Sequence, residues 1–393
     1  MQGMLRILLY AGWCAAAAAA EPPPAPAAQA PPGMDWLGGA FRAIQSDDLQ
    51  VGAIFDFASD YTRRRNGSST HEAQLREVEL GFGARLSPYL RFDTFLGIAR
   101  EEGEEEGKPP RGLLRRRWDL CHGYSVGPEE AYLTLTGLPG GLTARAGKMK
   151  AAVGWANTQH AHALPWPAQP LVVRNLLGEE AMVGEGIELS WLAPWDQPYT
   201  EVTFQCMRCD EAELFSGDRW SDRTRVVHVK NVFDLTPSST FEAGLSAARG
   251  PDSRDPRGRH ACLGGIDLTY KWRPVERALY RSFTWRTEFL CSRNHNEDGE
   301  RQHVWGAYTA PEYQFARRWA VGARFDYAQL PDNHRLHERG CSLYVTFTPN
   351  HYCFWRAGVE RTARNFEDEG SKGDTMLFLQ LNFGFGAHRA HKY

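Results

Sequence analysis

The sequence predicts an all-β fold, a transmembrane antiparallel barrel of about sixteen strands with one long inward loop. Three observations point there. About sixteen segments alternate polar and apolar residues over the roughly 9–11 residues that a tilted membrane strand needs. The connections between these segments alternate short and long. Beyond the N-terminal stretch, no run of roughly 18 or more apolar residues offers a membrane-crossing helix.

Taken in order, the chain opens with an export signal. Arg6 gives the positive start, Ile7 to Ala20 is apolar, and the alanine run ending at Ala20 suits cleavage before Glu21. The run is shorter than the about 20 apolar residues of a spanning anchor. Residues 1–20 are therefore a signal peptide. Residues 21–49 are a Pro/Ala-rich leader, 50–385 the barrel, and 386–393 a C-terminal tail.

Within the barrel segment, long connections fall at 60–70, 101–128, 149–183, 209–223, 250–260, 294–301, 330–337 and 365–373. Tight ones lie between them at 87–88, 139–141, 193–198, 236–239, 273–278, 316–318 and 349–351. Proline fixes φ and glycine accepts positive φ, as Leu138-Pro139-Gly140-Gly141 needs for a tight turn. Short periplasmic turns alternating with longer outer loops are the order of an outer-membrane barrel, and a soluble sandwich has no reason to keep it. The segment 303–314 is the weakest strand, because Pro311 interrupts it.

Composition agrees with this placement. A net charge of -3, 24% charged residues and a mean hydropathy of -0.49 look soluble, yet in a barrel only every second strand residue meets lipid. Aromatic residues make up 12%, with 13 Trp; Tyr89, Trp191, Trp195, Tyr199, Trp272, Tyr280, Trp319 and Tyr352 flank the short turns, as an interfacial girdle would. Face patterns are regular. Ile266, Leu268, Tyr270 and Trp272 oppose Asp267, Thr269 and Lys271; Leu377, Leu379, Leu381, Phe383 and Phe385 oppose Gln380 and Asn382. Alternation alone does not say which face points inward. With the polar face inward, the lumen holds Arg85, Arg91, Arg145, Lys230, Lys271, Arg286, Arg324 and Arg356. It also holds Glu77, Glu79, Asp93, Glu130, Glu188, Glu201, Asp234, Glu242, Asp267, Glu288, Asp326 and Glu360. That lining is mixed and slightly acidic.

The connection 149–183 is far longer than compact domains usually tolerate without a function. Its prolines, Pro165, Pro167 and Pro170, limit backbone freedom. Its apolar Leu164, Trp166, Leu171, Val172 and Leu176 need burial. The inner barrel wall supplies it, so the loop is expected inside; the alternative is a lid over the barrel mouth or a subunit contact. With the loop inside, Arg145, Lys148, Lys150, Asn157, His160, His162, Arg174, Asn175, Glu179 and Glu180 are the candidate constriction residues. His160 and His162 are also candidate metal ligands, since neutral imidazole binds divalent ions.

Other constellations carry less. No Gly-x-Ser-x-Gly elbow, phosphate loop or His-Glu-x-x-His helix occurs. The acidic run 101–106, followed by Arg111, Arg115, Arg116 and Arg117, reads as a solvated surface loop; its sharper reading is contact with divalent cations and lipid phosphates. Cys206-Met207-Arg208-Cys209 lacks the second ligand pair of a closed zinc site and reads as small hydrophobes on a strand. Of eight Cys, Cys14 falls in the signal, leaving an odd number afterwards.

The stretch from Glu129 to Leu192 resembles a known family. Glu129-Glu130-Ala131-Tyr132-Leu133-Thr134, Arg145-Ala146-Gly147-Lys148, Gly154, Asn157-Thr158, His160-Ala161-His162, Leu164-Pro165, Arg174-Asn175 and Leu177-Gly178-Glu179-Glu180 carry the likeness. The family is porin-like and often labelled a zinc-regulated TonB-dependent outer membrane receptor; it is distantly similar to the phosphate-selective porins. In that family an arginine often follows the loop glycine, whereas Trp155 follows it here. A TonB-dependent receptor has about 22 strands and a folded plug, for which the 21–49 leader is too short. The resemblance therefore implies a porin of the bacterial outer membrane, passing small hydrophilic solutes or ions passively. The alternative is a channel or receptor specific for metal ions or metal chelates; a third is an outer-membrane enzyme. No cofactor is expected, with zinc or another divalent metal as ligand or solute. Expected partners are outer-membrane lipid, lipopolysaccharide, small solutes and two further copies in a homotrimer, with no nucleic acid.

Overall fold

The computed structural model describes residues 48–100, 118–121, 124–209, 212–217, 221–255, 257–368 and 370–386. The signal peptide, nearly all of the leader, the charged run at 101–117 and the tail after Gly386 lie outside the described residues.

The strands in chain order are β1 (Leu49–Arg64), β2 (Ser69–Arg85), β3 (Leu90–Arg100), β4 (Trp118–Cys121), β5 (Tyr124–Leu138), β6 (Leu142–Lys150), β7 (Val183–Leu192), β8 (Tyr199–Cys209), β9 (Thr224–Thr236), β10 (Ser239–Pro251), β11 (His260–Trp272), β12 (Ser282–His295), β13 (Arg301–Ala316), β14 (Trp319–Leu330), β15 (Asn333–Asn350), β16 (Cys353–Asp368) and β17 (Ser371–Gly386). Each wall strand pairs antiparallel with the next, and β1 pairs with β17, so the sheet closes. The seam is packed by stacked Phe55 and Phe383, 5.1 Å between centroids. The four-residue β4 pairs only with β5 among the described residues and adds nothing to the wall. The wall is a closed antiparallel barrel of sixteen strands.

The barrel is inside out relative to a soluble one. On β12, Trp285 and Phe289 are exposed while Glu288, Ser292 and Asn294 are buried. On β8, Phe204 is exposed beside buried Thr203 and Gln205; on β15, Leu343 and Val345 are exposed beside buried Ser342 and Thr346. The apolar face points outward around the wall, as lipid contact requires and water does not permit. This settles the hand that alternation left open. Tyr199 departs from the expected girdle: it shares the inward face of β8 with Glu201, to which its hydroxyl donates at 3.0 Å.

Three of the outer connections are shorter than expected. β1 runs to Arg64 and β2 starts at Ser69; β14 ends at Leu330 and β15 starts at Asn333; β16 ends at Asp368 and β17 starts at Ser371. Above the bilayer both strand faces meet water, so the hydrophobic alternation that marks a strand disappears although the ladder continues. Pro311 lies within β13, and there the ladder to β14 breaks between Thr309 and Glu312, which spares the missing N–H.

The 151–182 segment lies inside the barrel. It carries two 3₁₀ turns, Ala156–Thr158 and Ala161–Ala163, and one short helix, α1 (Leu171–Leu177). The five apolar residues that demanded burial, Leu164, Trp166, Leu171, Val172 and Leu176, are at most 2% exposed. They form one apolar cluster with wall residues Leu263, Leu290, Val304, Tyr308 and Ala328. Close approach is enforced by Gly306 on β13, where an added Cβ would meet the Val172 side chain at 2.7 Å.

Candidate functional site

The loop is held by wall side chains that accept or donate to its backbone. Ser246 on β10 accepts from Gly154 N at 2.9 Å, and Gln205 on β8 accepts from Ala152 N at 2.8 Å. Glu288 on β12 accepts from Trp155 N (3.0 Å), Ala156 N (2.6 Å) and the Tyr308 hydroxyl (2.7 Å). Across the lumen, Arg324 donates to Ala168 O (2.7 Å), Arg356 to Leu164 O (3.1 Å) and Arg76 to Pro167 O. Asp326 accepts from Leu171 N at 3.1 Å and so caps α1 from the wall. Glu338 on β15 accepts from Arg174 (2.8 Å) and Asn175 (3.0 Å). A segment can reach partners on β2, β8, β10, β12, β14, β15 and β16 of one closed barrel only from within. These bonds replace water for a buried loop backbone, which would otherwise leave polar groups unpaired. Gly154 has φ 62°, and an added Cβ would sit 2.2 Å from Glu288, so glycine is required where the loop meets β12.

The loop does not fill the lumen. A cavity of about 440 Å³ remains along the inner face of β5–β11, roofed by Ala152, Gly154, Trp155 and Thr158. Its wall charges pair among themselves. Arg145 forms bonds of 2.8, 2.5 and 2.6 Å with the Glu188 carboxylate. Lys271 and Lys230 lie 2.6 and 3.3 Å from Glu242, and His228 lies 3.3 Å from Asp267.

A second cluster joins the loop to β2 and β5. His160 Nδ1 lies 2.6 Å from Glu79 Oε2 and 2.9 Å from Glu129 Oε2, while Nε2 lies 3.0 Å from Glu130 Oε2. His162 Nδ1 lies 3.7 Å from both Glu77 and Glu79. Burial alone would depress the pKa of His160; the Glu79 charge and the bonds to Glu129 and Glu130 outweigh it and hold the ring well above the usual histidine range. His162 follows the same balance, burial against Glu79 and Glu77, and is also raised.

The sequence-derived candidates fall into separate groups. Arg145 and Lys150 line the cavity. His160 and His162 are buried against β2 and β5, and Arg174 and Asn175 anchor the loop to β15. Asn157 is fully buried within the loop, where it bonds Ala151 O at 2.8 Å and Met182 N at 2.7 Å, tying the two ends of the loop together. Glu179 and Glu180 are exposed at the return to β7, with Lys150 Nζ on Glu180 O at 3.3 Å. Lys148 stands apart: on β6 it shares the face of exposed Ala146, opposite to that of Arg145, and donates to Pro128 O at 2.8 Å. The Cys206 and Cys209 side chains, three apart on β8, point to opposite faces and cannot chelate one ion.

Strict alternation missed two residues. Glu129 is an extra residue in the β3–β5 ladder, between the Phe95–Glu130 and Leu96–Pro128 pairs. Arg76 is the extra residue in the β1–β2 ladder, between Asp56–Glu77 and Phe57–Leu75. A bulge lets consecutive side chains share a face. Two consecutive polar residues in an otherwise alternating strand, Glu129-Glu130 and Arg76-Glu77, are the signal that could have found them.

Comparison with known proteins agrees with the architecture. No family model matches the chain. An uncharacterized protein from Aquifex aeolicus (strain VF5) is 26% identical over 306 residues, covering 67% of this chain, and the chain spans 63% of that relative's length. Among solved structures, Pseudomonas putida OprB superimposes with a TM-score of 0.58 at 10% identity, over 89% of this chain and 97% of that one. The anion-selective porin from Comamonas acidovorans gives 0.56 at 10% identity, over 86% and 99%. The chain has the fold of porin-like outer-membrane β-barrels. OmpT of Vibrio cholerae in its trimer form gives 0.52 at 8% identity, over 86% and 100%. At such identities the likeness speaks for the fold.

Proposed function

We propose that this porin-like barrel is a narrow channel for passive diffusion of small hydrophilic solutes and ions, with the 151–182 loop as its constriction. The observation that carries the reading is the divided lumen: the loop is bonded across β14–β16 and touches the opposite wall at Gln205 and Ser246, while below it β5–β11 keep a charged, open cavity. The cavity carries Glu130, Glu188, Glu201, Glu242 and Asp267 against Arg145, Lys150 and Lys230, so the excess is acidic. Mixed lining gives weak selectivity with a mild cation preference. Arg145 and Lys150 act at the path itself; Asn157, Arg174 and Asn175 act by fixing the loop.

The test is single-channel conductance and reversal potential of the refolded protein in a planar bilayer under a salt gradient. Discrete conductance steps with a small cation-directed potential are expected. Strong anion selectivity, or a folded barrel without conductance, contradicts the proposal. Export by residues 1–20, a homotrimeric assembly and contact with lipopolysaccharide belong to the same reading. A mature N-terminus at Glu21 and a trimeric mass in native mass spectrometry check the first two.

A further inference from the structure

We propose that Glu79, His160 and His162 bind one divalent transition cation of the zinc class, and that the ion clamps the loop to β2. Each of the three offers one donor atom, and the three atoms lie within 4.8 Å of one another in a buried site. Two imidazole nitrogens with a carboxylate oxygen are a donor set for zinc-like ions; calcium and magnesium prefer oxygen alone.

Local structure builds the set twice over. Glu77 and Glu79 are two apart on β2, so both side chains face inward. His160 precedes the 3₁₀ turn Ala161–Ala163 and His162 lies inside it, which brings both rings to the same wall. The bulge at Glu129 adds a further carboxylate, and Glu77, Glu79 and Glu129 also lie with donor atoms within 4.8 Å. A fourth ligand therefore comes from Glu77 or Glu129. The surroundings suit a metal-binding imidazole as well. His160 Nε2 is engaged by Glu130 at 3.0 Å, while Nδ1 faces Glu79 and Glu129, the carboxylates that would share the ion with it. A carboxylate behind a ligating histidine fixes the ring's tautomer and orientation. Lys150 works against the ion, its backbone N–H being bound to Glu130 at 2.8 Å and its charge lying near Glu129 and Glu130.

The geometry needs small adjustments. Bonds of about 2.0–2.2 Å to a tetrahedral ion set donor atoms about 3.3 Å apart. The His160–Glu79 pair at 2.6 Å would open, and the His162–Glu79 and His162–Glu77 pairs at 3.7 Å would close. Without an ion, the same residues form a set of imidazole–carboxylate pairs, so binding must be measured.

The folded barrel, stripped with a chelator, is titrated with zinc sulfate by calorimetry and with cobalt(II) by visible absorption. One ion per chain and the intense bands of four-coordinate cobalt are expected. His162→Gln and Glu79→Gln should each weaken zinc binding more than about 100-fold, since losing even a supporting residue typically costs 10–100-fold. His334→Gln, on the outer part of β15, should change nothing. Should neither site variant assemble, X-ray absorption at the zinc edge of the wild type decides: two imidazoles in the shell support the site, and an oxygen-only shell overturns it. Failure of the folded wild type to take up zinc, or uptake unaltered in His162→Gln, also overturns it. Conductance recorded in chelator tests the channel reading separately, so the two can fail independently.

Discussion

The wall of β14–β16 and the wall of β6–β11 present the same kind of inward polar residues but hold them differently. On the first, Arg324 and Asp326 are each 1% exposed, and the guanidinium is shared between Asp326 at 2.7 Å, Glu360 at 3.3 Å and the loop carbonyl of Ala168. On the second, Lys230 and Lys271 are 18% and 35% exposed and divide one carboxylate, Glu242. The difference follows from what lies opposite. A buried charge is tolerated only when each of its donors finds a partner, and Arg has a planar fork that can serve two carboxylates and a carbonyl together. Lysine is a flexible point charge suited to a wetted face. The covered wall is built to hold a loop, and the open wall, beyond its loop contacts at Gln205 and Ser246, keeps part of its face toward solvent.

The largest effects should fall on the covered wall. Arg324→Ala strands Asp326, Glu360 and Ala168 O, and should cost about 3–5 kcal/mol, whereas Lys230→Ala on the open wall should cost under about 1 kcal/mol. The measurement is thermal loss of the compact form on unboiled gels; equal losses would erase the distinction between the walls. Trp166→Ala removes a fully buried ring packed edge-on against Tyr308 at 5.4 Å, and should cost about 3–5 kcal/mol by the same assay. A cost below about 1 kcal/mol would mean that the loop core is not tightly packed. Asn157→Ala, which unties the two ends of the loop, should cost about 1–3 kcal/mol and expose the loop to protease. Unchanged proteolysis would show that the wall contacts alone hold it.

The smallest effect reverses the pattern. Glu242→Gln and Asp267→Asn on the open wall should move the reversal potential toward anions with little change in stability. Asp326→Asn on the covered wall should lower stability and leave selectivity alone. Selectivity that follows Asp326 and ignores Glu242 would place the path on the other side of the loop.

Legibility in the sequence follows the same physics. The strands were readable where lipid meets one face and water the other, as in Ile266 to Trp272. They were not readable above the membrane, where Arg64 and Ser69 continue a ladder that no hydrophobic pattern marks. The burial demand of Trp166 and Leu171 was legible, and it favoured an inward course for the loop, but the sequence alone did not separate that course from a lid over the barrel mouth. The pairing of Arg324 with Ala168 O and of Glu338 with Arg174 was not, because such contacts join residues more than 150 positions apart. A strict period of two steps over a doubled polar residue, as in Arg76-Glu77 and Glu129-Glu130, which is why Arg76 and Glu129 were missed.

The central claim is that the loop narrows the lumen beside an open wall. Deleting residues 157–174 removes most of the loop and leaves every wall strand intact. The single-channel conductance of the folded deletion, compared with wild type, tests the claim directly. Higher conductance with the same sign of selectivity is the predicted result. Unchanged conductance in a folded deletion would contradict it.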